Sequence, residues 1–280
     1  MAAAKKKKSD LSKLRILVTN DDGIGADGLV VLEAIARTLS DDVWIVAPEL
    51  EQSGASHSLT LNMPVRLRKL ADKRFAVSGT PTACVLVAVQ EVLPKFAAAN
   101  SNKSGGKKAK PFDLVLSGVN RGSNAGDDVT YSGTIAAAME GTVLGIPSVA
   151  LSQQCEDRDN PKWDVAKKYA PKLIAALIDA GWPKDTLMNL NFPDIAPAKV
   201  KGVHLCPQGK RRVGVALTGR LDVKGRPYYW LGGERDNTAD RPGVDIDLLY
   251  KGHVTITPLR LDLTDYKTLE ALRPAIKAVK

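Results

Sequence analysis

A chain of 280 residues with 44 % hydrophobic and 25 % charged side chains has the balance of one large globular domain or two small ones. That balance excludes disorder throughout, and no apolar run approaches the roughly 18 residues of a membrane helix. The formal charge of +9 raises nucleic acid as a partner.

The chain opens on a basic tail. Residues 1–13 hold five Lys against one Asp, with no apolar stretch after MAAAKKKKSD, so no secretory signal is expected. Residues 14–19 (LRILVT) read as a buried strand, 26–39 as a helix with Leu29, Leu32, Ala36 and Leu39 on one stripe, and 43–47 (VWIVA) as a second buried strand. A β-α-β unit of this spacing implies parallel strands and a right-handed crossover. Residues 58–69 alternate (Leu59, Leu61, Met63, Val65, Leu67) and predict a half-exposed strand, with 74–77 pairing near it. Thr80-Pro81 opens a helix to about Leu93, with proline at its first position.

Residues 96–110 (FAAANSNKSGGKKAK) are expected to be an exposed flexible insertion. Residues 95–110 hold five Lys and no acid, while the chain outside this segment and the tail carries 30 basic and 30 acidic residues. The charge excess therefore sits in two solvated segments, and a nucleic-acid grip is not expected. Residues 113–119 read as a buried strand. A helix follows from about Gly133 to Leu144, with Ile135, Ala138, Met139 and Val143 inward. Next come a strand at 147–151, a helix at 163–180 and a strand at 187–192. To about residue 195 this is the alternation of a doubly wound, mostly parallel α/β sheet. The remainder, 196–280, reads as a C-terminal extension. Its Gly- and Arg-rich arm at about 207–250 carries Tyr228-Tyr229-Trp230, and a strand at 253–257 and a closing helix at 264–278 complete it. Exposed aromatics on such an arm make it a candidate oligomer contact. Three scattered cysteines (Cys84, Cys155, Cys206) without a CxxC exclude a disulfide scaffold and a cysteine-built zinc site, and point to the cytoplasm.

The chemistry concentrates at strand ends, where ligands of open α/β sheets gather. Asn20-Asp21-Asp22-Gly23 follows the first strand directly. Two carboxylates facing one point at about 4 Å repel by roughly 4 kcal/mol at an effective dielectric near 20, and a divalent cation removes that cost. The plain alternative is a polar turn with a helix cap. Ser53 follows the second strand and Asn120 the fourth, so Asp21, Asp22, Ser53 and Asn120 can form an all-oxygen site suited to Mg²⁺ or Mn²⁺. Tyr131-Ser132-Gly133-Thr134 opens a helix and offers an anion cradle or, more plainly, a cap. Gly23–Gly28 also fits GxGxxG, with Glu49 about 20 residues on, which leaves a nicotinamide-dependent oxidoreductase as the alternative. Asp21 and Asp22 beside a pyrophosphate argue against it. Neither GxxxxGK[ST] nor GxSxG occurs.

The segments NDDGIGADGL, VAPELEQSGASHSLTL, SGTPTACV, VLSGVNRGSNAGDDVTYSGTIAAAMEG, NLNFP and GHVTITPL, in this order, resemble the SurE survival-protein nucleotidases over roughly residues 14–262. The resemblance implies a Rossmann-like core and a C-terminal arm exchanged within a homodimer or homotetramer. It also implies metal-dependent hydrolysis of nucleoside 5′- and 3′-monophosphates, with short polyphosphate as a further substrate. It assigns metal ligation to Asp21, Asp22, Ser53 and Asn120, and phosphate binding to Asn124, Ser132, Gly133 and Thr134. The arginine usual in the loop before the metal serine is absent, since Glu51-Gln52 stands there. In the expected mechanism Asp22 orients the attacking water or moves its proton. His57 is a candidate to protonate the leaving group, with a structural role as the plain alternative.

Overall fold

The computed structural model of the chain describes residues 10–99, 111–211, 217–231, 237–277 and 279. The KKKK run and the lysines of 100–110 lie outside the described residues. In chain order the elements are β1 (Arg15–Thr19), α1 (Asp27–Arg37), β2 (Asp42–Pro48), β3 (Leu67–Ala71) and β4 (Arg74–Val77). Then come α2 (Pro81–Val87), a π-helical segment (Ala88–Val92), α3 (Leu93–Ala99), β5 (Leu114–Arg121), α4 (Gly133–Val143), β6 (Ser148–Gln153), α5 (Asp164–Ala180) and β7 (Thr186–Phe192). The extension adds β8 (Val203–Leu205), β9 (Leu217–Leu221), β10 (Pro227–Leu231), α6 (Asp245–Tyr250), β11 (Val254–Arg260) and α7 (Tyr266–Lys277).

Nine strands form one sheet in the order β3-β4-β2-β1-β5-β6-β7-β11-β8. From β4 through β7 every pairing is parallel. Only the β3–β4 and β7–β11 pairs within it are antiparallel. This is the mostly parallel, Rossmann-like α/β architecture that the alternation of elements predicts. The pleat divides the buried strands between two faces. Ile16 and Val18 pack with α1 and α5, while Leu17, Trp44 and Val46 pack with α2 and its continuation. The chain order reverses between β1 and β5, so a crevice opens beyond their C-terminal ends.

Four expectations change. Leu59, Leu61 and Met63 are exposed and in no strand, since pairing begins only at Leu67. Pro64 has no N–H for a ladder, and Ser58 is instead held through its carbonyl by the hydroxyl of Thr80. The helical run passes Leu93 and continues to Ala99, because Phe96 meets Trp44 edge to face at 4.7 Å and so belongs to the core rather than to an insertion. Val143 is exposed rather than inward, because α4 lies so close to the sheet that its buried surface runs around most of the helix. A side chain at Gly141 would come within 2.4 Å of the Ser148 hydroxyl. Finally, α7 does not close on the core, and none of its residues is buried.

Candidate active site

The site starts from the turn after β1. The Asn20 side chain donates to the Gly23 carbonyl at 2.9 Å and accepts from the Gly23 N–H at 3.3 Å, which closes the turn locally. Gly23 sits at φ +103°, a conformation that L side chains rarely adopt. The turn is knitted to the loop after β2 by Ile24 N–H to the Pro48 carbonyl and Gln52 N–H to the Asp21 carbonyl, both at 2.8 Å. Ser53 therefore follows directly on a contact with Asp21. On the other side, the Arg121 N–H points to Asp22 Oδ2 at 3.3 Å, so Asn120 directly precedes a contact with Asp22. The β5–β6 register shifts between Ser117 and Asn120, where β5 bends over the rim. The turn after β1 thus has the loop carrying Ser53 on one side of it and the end of β5 carrying Asn120 on the other.

Asp21 is buried and accepts a short hydrogen bond from the Thr134 hydroxyl. It stands against the first turn of α4. A Cβ at Gly133 would lie 2.7 Å from the Asp21 Cβ and 3.0 Å from its Oδ2, so only glycine lets the carboxylate approach. Ser132 caps the helix by accepting from the Ile135 N–H. Burial, and then the charge of Asp22, push the Asp21 carboxyl up to about 6. Burial also raises Asp22, with the Arg121 N–H opposing. Two adjacent carboxylates, both pushed toward the neutral acid, form a site that a cation would return to the charged form.

The remaining expected residues have definite partners. Ser53 is exposed and donates to Glu51 Oε1 at 2.7 Å. Asn120 spends its Nδ2 on the Gly122 carbonyl at 2.8 Å, which leaves Oδ1 as its donor to a cation. Asn124 is buried in an amide network. Its N–H donates to Asn191 Oδ1, its Nδ2 to the Ser152 hydroxyl at 2.9 Å, and its carbonyl accepts from Asn189 Nδ2. His57 is tied through Nε2 to Glu140 on α4 at 2.9 Å, which fastens the Ser53 loop to the same helix. The glycine motif has a packing explanation. A Cβ at Gly28 would come within 2.0 Å of the Val119 carbonyl, so this glycine lets α1 lie on β5.

Several residues have roles that the sequence analysis does not assign. Asn189 and Asn191 alternate within apolar LMNLNF, and that period of two places both polar side chains on one buried face. Asp245 accepts from the N–H groups of Gly126 and Gly209, and Arg211 pairs with Asp128, so the root of the arm clamps the loop that leads to Ser132. Such long-range partners leave no local sequence signal.

Comparison with known proteins follows this geometry. A family model described as survival protein SurE matches residues 16–215. The chain is 49 % identical over 267 residues to the 5′-nucleotidase SurE of Paramagnetospirillum magneticum, covering 95 % of this chain and 97 % of that one. It is 52 % identical over 272 residues to the 5′-nucleotidase SurE of Parvibaculum lavamentivorans, covering 96 % and 93 %. Among solved structures, the SurE protein from Aquifex aeolicus superposes with a TM-score of 0.77 at 34 % identity, over 93 % of this chain and 98 % of the other. Nothing in these matches supports the oxidoreductase alternative. The chain belongs to the survival protein SurE family.

Proposed function

We propose that the chain is a metal-dependent phosphomonoesterase that hydrolyses nucleoside 5′- and 3′-monophosphates to nucleoside and phosphate. The observation that carries this reading is Asp21, a buried carboxylate beside Asp22, set against the first turn of α4 at Gly133. The name shared by the curated relatives, 5′-nucleotidase SurE, supports the substrate class.

The donor set fits a hard divalent cation such as Mg²⁺ or Mn²⁺, since Asp21, Asp22, Ser53 and Asn120 offer only oxygen and only two carboxylates. When bound, such a cation supplies Lewis acidity toward a phosphoryl oxygen and toward water. The rest falls to the protein. The amide of Gly133 has no partner within the helix and faces an incoming phosphate together with the Ser132 hydroxyl, while the Thr134 amide is turned to Asp21. The Thr134 hydroxyl is given to Asp21, so it holds that carboxylate in place. Asn124 is fixed by Ser152 and Asn191, so whatever contact it makes with the substrate needs no rearrangement at the moment of reaction. Asp22 orients water in line with the ester bond and takes its proton as the oxygen attacks phosphorus. The ester P–O bond breaks, and the nucleoside oxygen leaves as an alkoxide that takes its proton from solvent water. His57, paired with Glu140, acts here by seating the Ser53 loop.

Assembly belongs to the same reading. All residues of strands β9 and β10 are exposed, Tyr228, Tyr229 and Trp230 among them, and α7 exposes Leu269, Leu272 and Ile276 at helical spacing. A homodimer or homotetramer would cover these faces. All three cysteines are free, which fits a reducing cytoplasm, and no described helix is long and apolar enough to cross a membrane. A phosphate-release panel of AMP, 3′-AMP and tripolyphosphate, with Mg²⁺, Mn²⁺ or EDTA, tests the reading. Release from both nucleotides that EDTA abolishes is the expected result, with tripolyphosphate a slower substrate. Full activity in EDTA would contradict it.

A further inference from the structure

Between β5 and α4 the chain makes a 3₁₀ turn (Gly126–Thr130) that delivers it to Ser132 and Gly133. Asp128 is the pivot of this turn. Its backbone carbonyl accepts from the N–H groups of Tyr131 and Ser132, both at 3.1 Å, and so fixes where α4 begins. Its carboxylate is held by Arg211, whose Nη2 donates to Oδ2 at 2.5 Å. One residue thus joins the start of α4 to the root of the arm.

Arg211 suits that task. It is buried, and its guanidinium forks: Nη1 donates to Asn237 Oδ1 at 2.6 Å while Nη2 takes Asp128. Its backbone N–H donates to Asp127 Oδ2 at 2.9 Å, so two successive carboxylates of the turn end on one residue. The neighbours repeat the pattern. Asp245 bridges the N–H groups of Gly126 and Gly209, at 2.9 and 2.8 Å, and Gln208 Nε2 donates to the Gly126 carbonyl at 2.8 Å. The outgoing and returning segments of the arm meet here too. Arg211 makes an antiparallel bridge with Ala239, and the Asp240 N–H donates to the Lys210 carbonyl at 2.8 Å. A buried ion pair adds little net stability, because desolvation offsets its attraction, whereas removing one partner strands the charge of the other. The Arg211–Asp128 pair therefore fixes an arrangement more than it stabilises a fold, and what it fixes is the start of α4.

Resting on the phosphomonoesterase reading, we propose that Arg211 is a positioning residue for phosphate. Through Asp128 it sets the Ser132 hydroxyl and the Gly133 N–H where the phosphoryl oxygens bind. Those groups hold phosphate in the ground state as well as in the transition state, so losing Arg211 raises KM more than it lowers kcat. The affinity for a cation, carried by Asp21 and Asp22 after β1, stays.

The test compares the full chain with Arg211→Met, Arg211→Lys and Asp128→Asn, with thermal melts to establish that each is folded. Should Arg211→Met fail to fold, Asp128→Asn carries the same comparison. In Mn²⁺-loaded protein, the affinity for inorganic phosphate should fall about ten-fold or more in Arg211→Met and Asp128→Asn, and KM for AMP should rise in step. Over the same variants kcat and the affinity for Mn²⁺ should stay within about three-fold. Arg211→Lys keeps a cation for Asp128, and its phosphate affinity should lie within about three-fold of the wild type. Without ligand, the amides of peptide 126–135 should exchange about ten-fold faster in Arg211→Met, with those of β1 and α1 unchanged. A folded Arg211→Met or Asp128→Asn variant with wild-type phosphate affinity and KM overturns the proposal. So does a loss shared equally by phosphate and Mn²⁺ affinity. If the wild type releases no phosphate from AMP, the phosphomonoesterase reading fails, and amide exchange in 126–135 still decides whether Arg211 holds this turn.

Discussion

The rim of the sheet and the C-terminal arm treat their side chains in opposite ways. At the rim several polar groups are held inside the chain: Asn20 by Gly23, Asp21 by Thr134, and Asn124 by Ser152, Asn189 and Asn191. In the arm the apolar groups have been left to water, with Leu231 at 80 % exposure and Trp230 at 64 %. The first pattern belongs to a site whose geometry is finished within one chain. The second is the surface that the proposed homo-oligomer would cover. The two are joined at the arm's root, where Asp245 and Arg211 grip the 126–128 loop next to the phosphate cradle.

The largest expected effect is at the rim. Asp22→Asn should lower kcat by about 10²–10⁴-fold, the usual contribution of a positioned acid or base, while the melting temperature stays within a few degrees. A variant with full turnover would remove Asp22 from the chemistry. Core and arm separate next, by stability. Trp44→Ala, in a fully buried site against Phe96 and Phe112, should cost about 3–5 kcal/mol in denaturant unfolding. Trp230→Ser should leave the stability of the isolated chain within about 0.5 kcal/mol but reduce the sedimenting mass of the native protein. Equal unfolding costs for the two tryptophans would erase the contrast between core and arm.

Gly133→Ala should lower phosphate release on the order of 10²-fold, because the added methyl displaces Asp21 by a fraction of its own radius and catalysis is sensitive to misplacement on that scale. The smallest effect is expected at His57→Ala. Its hydrogen bond with Glu140 is partly solvated, so removing it should cost about 1 kcal/mol or less in stability. Activity should fall a few-fold, with the loss residing in the metal concentration needed rather than in kcat at saturation. A large drop in saturated kcat would instead make His57 part of the proton chemistry.

What the sequence makes legible follows from how local each cause is. Strands β1, β2 and β5 announce themselves as apolar runs ending in acids or amides, and the crevice at their ends follows from parallel topology. Asp21, Asp22, Ser53 and Asn120 are visible because each sits just past such a run. The 58–66 segment misleads because alternation marks a face only where a partner strand exists, and Pro64 denies it one. Phe96 misleads in the other direction. Its flanking alanines, serines and lysines resemble a linker, and only the distant Trp44 makes it core. Glu140, Asn189, Arg211 and Asp245 are legible only after folding, since the partners His57, Asn124, Asp128, Gly209 and Gly126 lie 36 to 119 residues away.

Binding of Mn²⁺ to the metal-free protein, followed by calorimetry or electron paramagnetic resonance, tests the central claim most directly, because it asks for the cation and not for turnover. One tight site per chain is expected in the wild type, absent in the Asp21→Asn, Asp22→Asn double variant and weakened in Asn120→Ala. Equal stoichiometry and affinity in all three proteins would contradict it.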